Sequence, residues 1–516
     1  MAATDARAQV SRPLAIALLG WIGAIKATGA SLATVAIVDA TKDLGLSPAM
    51  RTAAASTCAL ALAATVMATG VLADRVGRRR VLMWSYLVAS VGSLLTLITP
   101  GGGLYLTGQA LAGVGFGAMF SGSYAYVKKV APGHRLGWAL GLFGAYASII
   151  TAIASISGGF LADYSWRALF AVVPIMCAVA FVATPRLLPE MERVQVAGSD
   201  WLGLVVMGAA MVAFLDGISQ LAREVGPISL GLVVLGIVLF AFWVLIEKRG
   251  RYPAFPLQLF ASRVFLGALI VGVTFNVVQA AATLGLSNIW QYVDRERPLG
   301  VTLGLQPFYV IGIIGALVAG RRLSAGTSPR LVIAISCLAA ALGFVALAPT
   351  SVSHSYWMSL PAVVFIGIGM MAGTTAQSQV FVEQAPAEQY GSVTASRTTV
   401  GQLGFALGFG MSTVLLQDLT FGELGTKLSA AGLSPAQVQA GLTEVESYIT
   451  TEVPSTNPAD KGLLELAAQT YSHSFTVTML VAAGIMLASA AAAWLLMRVP
   501  RPGNDLQNRV HGTDNV

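Results

Sequence analysis

Residues 70–80 read Gly-Val-Leu-Ala-Asp-Arg-Val-Gly-Arg-Arg-Arg, with four arginines and one aspartate between Asp74 and Arg80. In a chain with only 11% charged residues, such a cluster can do electrostatic work. An aspartate among guanidiniums forms strong, directional pairs, here within a short, tight, water-facing connection between two apolar runs. Asp74, Arg75 and Arg78 are its candidate charged members, and Gly70 and Gly77 place the turn. A topology loop that merely retains basic residues on one side of a bilayer would explain the arginines. It would not explain Asp74 or the two placed glycines.

Other polar residues stand alone inside apolar runs. Lys26 lies about 13 residues into the first run, or about 20 Å at helical rise. A cation at mid-membrane costs roughly 2.5–3.5 kcal/mol on insertion scales, so it needs water, a partner or a cavity. Either Lys26 faces a cavity, where it contacts an anionic or zwitterionic group or titrates, or its stem snorkels to the interface. Asp39, near the far end of the same run, is either a solvated interface residue or a proton site. Asp216, in Phe214-Leu215-Asp216-Gly217, is open to structural and proton-relay readings alike. Asn276, Gln279 and Thr283 follow i, i+3, i+7 spacing and share a helical face. With Asn288, Gln291, Gln377 and Gln379 they are candidates to line a cavity, since polar faces of spans point into the bundle. No nucleotide-binding loop, catalytic triad or metal cluster is present in the sequence, so no enzyme, catalytic residue, metal or cofactor is expected.

The elements that must hold these residues follow from composition. The chain has 516 residues, 56% of them apolar, with mean hydropathy +0.73; a soluble protein would be about 25% charged. This is an all-α integral membrane protein, with the lipid bilayer as its surroundings. The net charge of +7 does not indicate a nucleic-acid partner, because the basic residues fall in short loops between apolar runs. Cys58, Cys177 and Cys337 lie inside those runs, which argues against disulfides. The first run is too long for a cleavable signal peptide.

At about 20 apolar residues per span, fourteen transmembrane helices are expected, near 13–38, 52–73, 81–99, 104–127, 137–161, 167–188, 201–221, 229–247, 264–290, 301–320, 331–349, 357–381, 392–416 and 474–497. With the amino terminus inside, 22 Lys and Arg fall on the inner side and 8 outside, with Lys26 left over in a span. Both termini are then cytoplasmic. The expected organisation is a cytoplasmic N-terminus (1–12), a six-helix bundle (13–188), an inserted pair (200–247), a second six-helix bundle (264–497) and a cytoplasmic tail (498–516).

The second bundle contains one long polar stretch, 417–472, expected outside. Ser434-Pro435-Ala436-Gln437 has the form of a capped helix start. Val438, Leu442, Val445 and Ile449 then recur on one helical face, and a second short helix is expected from about Lys461 to Tyr471. The stretch reads as a cap over helix ends, or as a lid or site for an extracytoplasmic partner of unknown kind.

The loop from Gly70 to Arg80, set between the second and third spans, resembles the signature loop of the major facilitator superfamily. Ser165-Trp166-Arg167, Asp200-Trp201-Leu202-Gly203 and Pro253-Ala254-Phe255-Pro256-Leu257-Gln258-Leu259-Phe260 look like connectors of its fourteen-helix drug:proton antiporter branch. The resemblance implies two bundles rocking around a central cavity, held closed on the cytoplasmic side through Asp74. It also exposes departures. Gly29 stands where the branch has an acidic residue in its first helix, with Lys26 one turn earlier; Gln109, which can hydrogen-bond a substrate in the cavity but holds no charge, takes the place of the fourth-helix arginine, and Ala112 that of a glutamine. Gly141, Gly158 and Gly159 are kept in the fifth span, but Ile150 and Ala154-Ser155 replace a glycine and a kinking Gly-Pro pair. Gly113 with Gly117, and the glycines of the fifth span, are expected to serve close helix packing. The matching loop of the second half, Gly320-Arg321-Arg322-Leu323-Ser324, has no aspartate.

Three functions are therefore expected to compete. The first is a secondary transporter of the cell membrane exporting amphipathic small molecules or drugs, with proton antiport as the coupling the resemblance implies. The second is an exporter of anionic metabolites or siderophore-like compounds that uses Lys26. The third is a membrane sensor or scaffold that does not transport.

Overall fold

The computed structural model describes residues 2–497 except 47, 163, 192–200, 222–225, 251–254, 291–297, 353–355, 387–389 and 452–457. Among them are sixteen α-helices: α1 (Ala2–Asp43), α2 (Pro48–Val76), α3 (Arg78–Leu97), α4 (Gly102–Val130), α5 (Leu136–Ala162), α6 (Val172–Leu187), α7 (Trp201–Leu221) and α8 (Pro227–Arg249). The chain continues with α9 (Arg263–Asn288), α10 (Pro298–Ser324), α11 (Pro329–Leu347), α12 (Tyr356–Gln384), α13 (Tyr390–Thr413), α14 (Leu419–Ala430), α15 (Pro435–Thr451) and α16 (Pro458–Leu496). Each of the fourteen expected segments lies on one of α1–α13 or α16. Twelve helices are long and apolar enough to cross a bilayer among the described residues. α4 is not among them, being rich in glycine, and α1 contributes only the shorter run Pro13–Gly29.

Helices form here because a backbone in lipid must satisfy its own hydrogen bonds. Their outward faces stay apolar: Trp84, Leu87, Val91, Leu94 and Ile98 mark an exposed stripe at helical spacing along α3. In the first half α1 packs on α4, α5 and α6, and α3 and α2 pack on α4. In the second half α9 packs on α13 and α16, and α12 on α10 and α11. The halves meet where α2 runs along α13 and α5 along α10. α7 lies on α2 and α13, while α8 leans on α7 and exposes Val234, Leu235, Ile237 and Val238.

Small residues set the closest approaches. A Cβ on Gly113 would collide with the Cys58 carbonyl of α2, and one on Gly117 would press Leu62 and Thr65. Gly141 lets α5 close on Ala316 of α10, and Gly158 accommodates Leu32 of α1. Gly159 follows on the same helix, α5, which runs unbroken where the kinking proline is missing.

The 417–472 stretch is helical. A π-turn, Val414–Asp418, joins α13 to α14, Gly432 turns the chain at φ +84°, and α15 returns. Its start is the expected capping box: Gln437 N–H donates to Ser434 Oγ at 3.4 Å, and Ser434 N–H to Gln437 Oε1 at 2.9 Å. Val438, Leu442 and Val445 pack with Leu424, Leu428, Leu464 and Ala467 into a small core; the Ile449 side chain lies outside the described set. The separate short helix expected at 461–471 is instead the first part of α16. No residue there interrupts the helical hydrogen bonds, so the last span continues outward as one rod.

Candidate substrate site and gate

At the centre of the molecule α4 presents Phe120 and, one turn on, Tyr124, with ring centroids 5.1 Å apart. Phe143 of α5 lies 4.7 Å from Tyr124 and extends the platform. The Lys26 ammonium of α1 sits 4.5 Å over the Phe120 ring. From α13, in the other half, Arg397 lies 4.7 Å over Tyr124 and 6.0 Å from Phe120. Phe120 is ten residues before the end of α4, or about 15 Å at helical rise, so the cluster is well inside the bundle.

Magnitudes decide what this arrangement lacks. A cation–π contact contributes about 0.5–2 kcal/mol, against roughly 2.5–3.5 for a cation at mid-membrane. The rings thus offset part of each charge. Among the described residues neither Lys26 nor Arg397 forms an ion pair, and Arg397 Nε is buried without a hydrogen bond. The position of the missing carboxylate is filled: a Cβ on Gly29 would run into the Phe116 ring of α4.

The other polar residues are placed differently from one another. Gln109 is buried and donates to Thr96 Oγ1 of α3 at 3.3 Å, which makes it a strut within the first half. Gln377 of α12 donates to the Ala268 carbonyl of α9 at 3.1 Å, a second strut. Asn276 turns back on its own helix, donating to Gly272 O at 2.8 Å beside Gly401 and Gly404 of α13. Gln279 and Thr283 line a small recess between α9, α10 and α12, with Phe308 and Tyr309 opposite. Asn288 ends α9, and Gln291 lies outside the described residues. Gln379 donates to Glu383 at 2.7 Å. Asp39 is exposed, and Asp216 accepts from Gln220 at 2.8 Å.

At the gate, Asp74 is buried at 6% exposure and pairs with Arg78 one turn later. The pair spans Gly77, whose φ of +113° strains any residue with a Cβ. Gly70 is buried in α2, Arg75 half-buried, and Arg79 donates to the Pro185 carbonyl at the end of α6, at 3.0 Å. The same side of the molecule carries contacts between the halves. Lys128 Nζ donates to Val382 O of α12 at 3.0 Å, and the Trp138 N–H of α5 donates to Ser324 Oγ at 2.8 Å.

Two features escaped the sequence reading. Arg397 counts there with the inner basic residues, yet it sits two turns into α13; an arginine five residues inside an expected span was the available clue. At the opposite end, Asp43 pairs with Arg167 and accepts from Trp166 Nε1 at 3.2 Å, while Arg167 also donates to Thr99 O at 3.0 Å. The Arg167 and then the Trp166 hydrogen bonds hold the Asp43 carboxyl below its ordinary range.

The family profile of the Major Facilitator Superfamily matches residues 19–409. The puromycin resistance protein pur8 of Streptomyces alboniger is 27% identical over 481 residues, covering 90% of this chain and 88% of that protein. The multidrug efflux pump LfrA of Mycolicibacterium smegmatis is 25% identical over 452 residues, covering 85% and 87%. Among solved structures, the human organic anion transporter MFSD10 superposes with a TM-score of 0.57 at 12% identity, over 92% of this chain and 99% of that one. The proton:xylose symporter XylE superposes with a TM-score of 0.56 at 12% identity, over 93% and 96%. Identities this low speak to fold alone. The profile, which spans most of the chain, decides the family: this multi-pass membrane protein belongs to the major facilitator superfamily.

Proposed function

We propose that this protein is a secondary transporter that exports amphipathic small molecules or drugs across the cytoplasmic membrane. The observation that carries the reading is the similarity, over most of the chain, to a puromycin resistance protein and a multidrug efflux pump. The family is one of transporters, not enzymes. Fourteen spans in a 6+2+6 order, with both termini and the Asp74 loop cytoplasmic, fit the excess of Lys and Arg on that side. In this reading 13–188 and 264–497 are the rocking bundles, 200–247 is a peripheral pair and 417–472 caps the outer side. The Lys128–Val382 and Trp138–Ser324 contacts close the cytoplasmic side, and the Asp74–Arg78 pair braces the loop next to them. Transport then requires these contacts to break while an outer set forms.

Proton antiport is the coupling proposed, with Asp216 within the seventh span and Asp39 near the outer end of the first as its candidate acids. The test is purified protein in proteoliposomes enclosing a pH-sensitive dye, screened with cationic and anionic amphiphiles. Gradient-driven substrate flux with a matching proton flux supports the reading. No flux of any amphiphile from correctly inserted protein refutes it.

A further inference from the structure

The cluster of Lys26, Arg397, Phe120, Tyr124 and Phe143 points to a class of cargo, on the transporter reading proposed above. We infer that it binds an amphipathic organic anion: an oxyanion such as a carboxylate, held between Lys26 and Arg397, on a flat apolar body laid against the aromatic platform.

Three observations lead there. The charge is of one sign: two cations from different halves approach the same Phe120 ring, and neither has a carboxylate partner among the described residues. A cationic cargo would meet repulsion from both, and the site offers no acid to neutralise it, because Gly29 and the Phe116 ring occupy that place. The donors are also unspent. Arg397 Nε has no hydrogen bond, and the buried hydroxyls of Thr28 and Thr398, two residues and one residue along from the cations, have none either. Buried donors without acceptors are costly, and a carboxylate accepting from an ammonium and a guanidinium forms the stronger, charge-assisted kind of bond. Finally, the site is divided between the bundles. Lys26 belongs to α1 and the rings to α4 and α5, whereas Arg397 belongs to α13. An anion bridging them draws the two halves together, which ties binding to the motion that transports.

The test measures binding of 2-naphthoate and of 2-naphthylmethylammonium, matched in ring and opposite in charge, to the full-length protein in lipid nanodiscs. The site predicts saturable naphthoate binding, tighter than that of the ammonium. Lys26→Met and Arg397→Gln should each weaken it about ten- to a hundredfold, while Lys26→Arg retains most of it. Thermal melts of each variant verify folding. Tighter binding of the ammonium, unchanged naphthoate binding in both neutral variants, or no saturable naphthoate binding would each overturn the inference. Proteoliposome flux separates this failure from failure of the exporter reading. Ammonium flux indifferent to both substitutions removes the anion site alone, and flux of neither compound removes the exporter.

Discussion

Replacing Lys26 by methionine should stabilise the empty protein and disable it at once. Methionine nearly matches the lysine stem in length and volume, so the packing against Phe120 is retained. What changes is the charge. The mid-membrane cost of roughly 2.5–3.5 kcal/mol disappears, and so does the cation–π gain of about 0.5–2 kcal/mol from Phe120. The difference leaves a net gain of about 0.5–3 kcal/mol for the unliganded state. Relief of repulsion from Arg397, which also approaches the Phe120 ring, acts in the same direction. Thermal unfolding in nanodiscs, followed by tryptophan fluorescence, should therefore show a higher midpoint, while anion flux falls by about tenfold or more. This is the stability–function trade expected where an unpaired charge is kept for a ligand. A stability lower by more than about 1 kcal/mol, together with unimpaired flux, would mean that Lys26 is a structural cation with a partner of its own, and the reasoning would fail.

Three further outcomes are expected. Asp74→Asn should insert normally yet lose transport, because the neutral amide removes the charge that Arg78 pairs with; full activity in a flux assay would count against the gate. Gly77→Ala should cost about 1–3 kcal/mol through its left-handed backbone, read as a lower unfolding midpoint. In the outer unit, hydrogen bonds first from Lys427 and then from His473 hold the Glu423 carboxyl below its ordinary range. A depressed folded value contributes stability that is present above the unfolded value, about 4, and lost as pH falls through the folded one. Amide protection factors over 419–445, corrected for intrinsic exchange, should fall on acidification through that window; Glu423→Gln should abolish that fall, and a persistent one would show another group responsible.

Much of the architecture was legible because lipid imposes length and polarity on each segment separately. The positions of the helices, the capping box at Ser434 and the buried face of Val438, Leu442 and Val445 are all local, needing only the helical period. What the sequence hid depends on partners far away in the chain. Phe120, Tyr124 and Phe143 read as ordinary span residues until α1, α4, α5 and α13 converge on them. Gln109 and Gln377 looked like cavity groups, and their struts to Thr96 and Ala268 depend on the rotation of neighbouring helices, which periodicity alone does not set. The shared face of Asn276, Gln279 and Thr283 was correctly periodic, yet a face is wide enough for Asn276 to lie beside α13 while the other two line a pocket at α10 and α12. Asp43 gave no motif, since its partner Arg167 enters 124 residues later.

The central claim is that two helical bundles part and rejoin on the side that carries Asp74. Spin labels at Lys129 and Glu383, exposed residues flanking the Lys128–Val382 contact, allow their separation to be measured by pulsed electron resonance in nanodiscs. The account predicts a short distance in the resting protein and a second, longer population in Asp74→Asn or on titration with transported amphiphile. A single short distance under every condition, in protein that still transports, would contradict it.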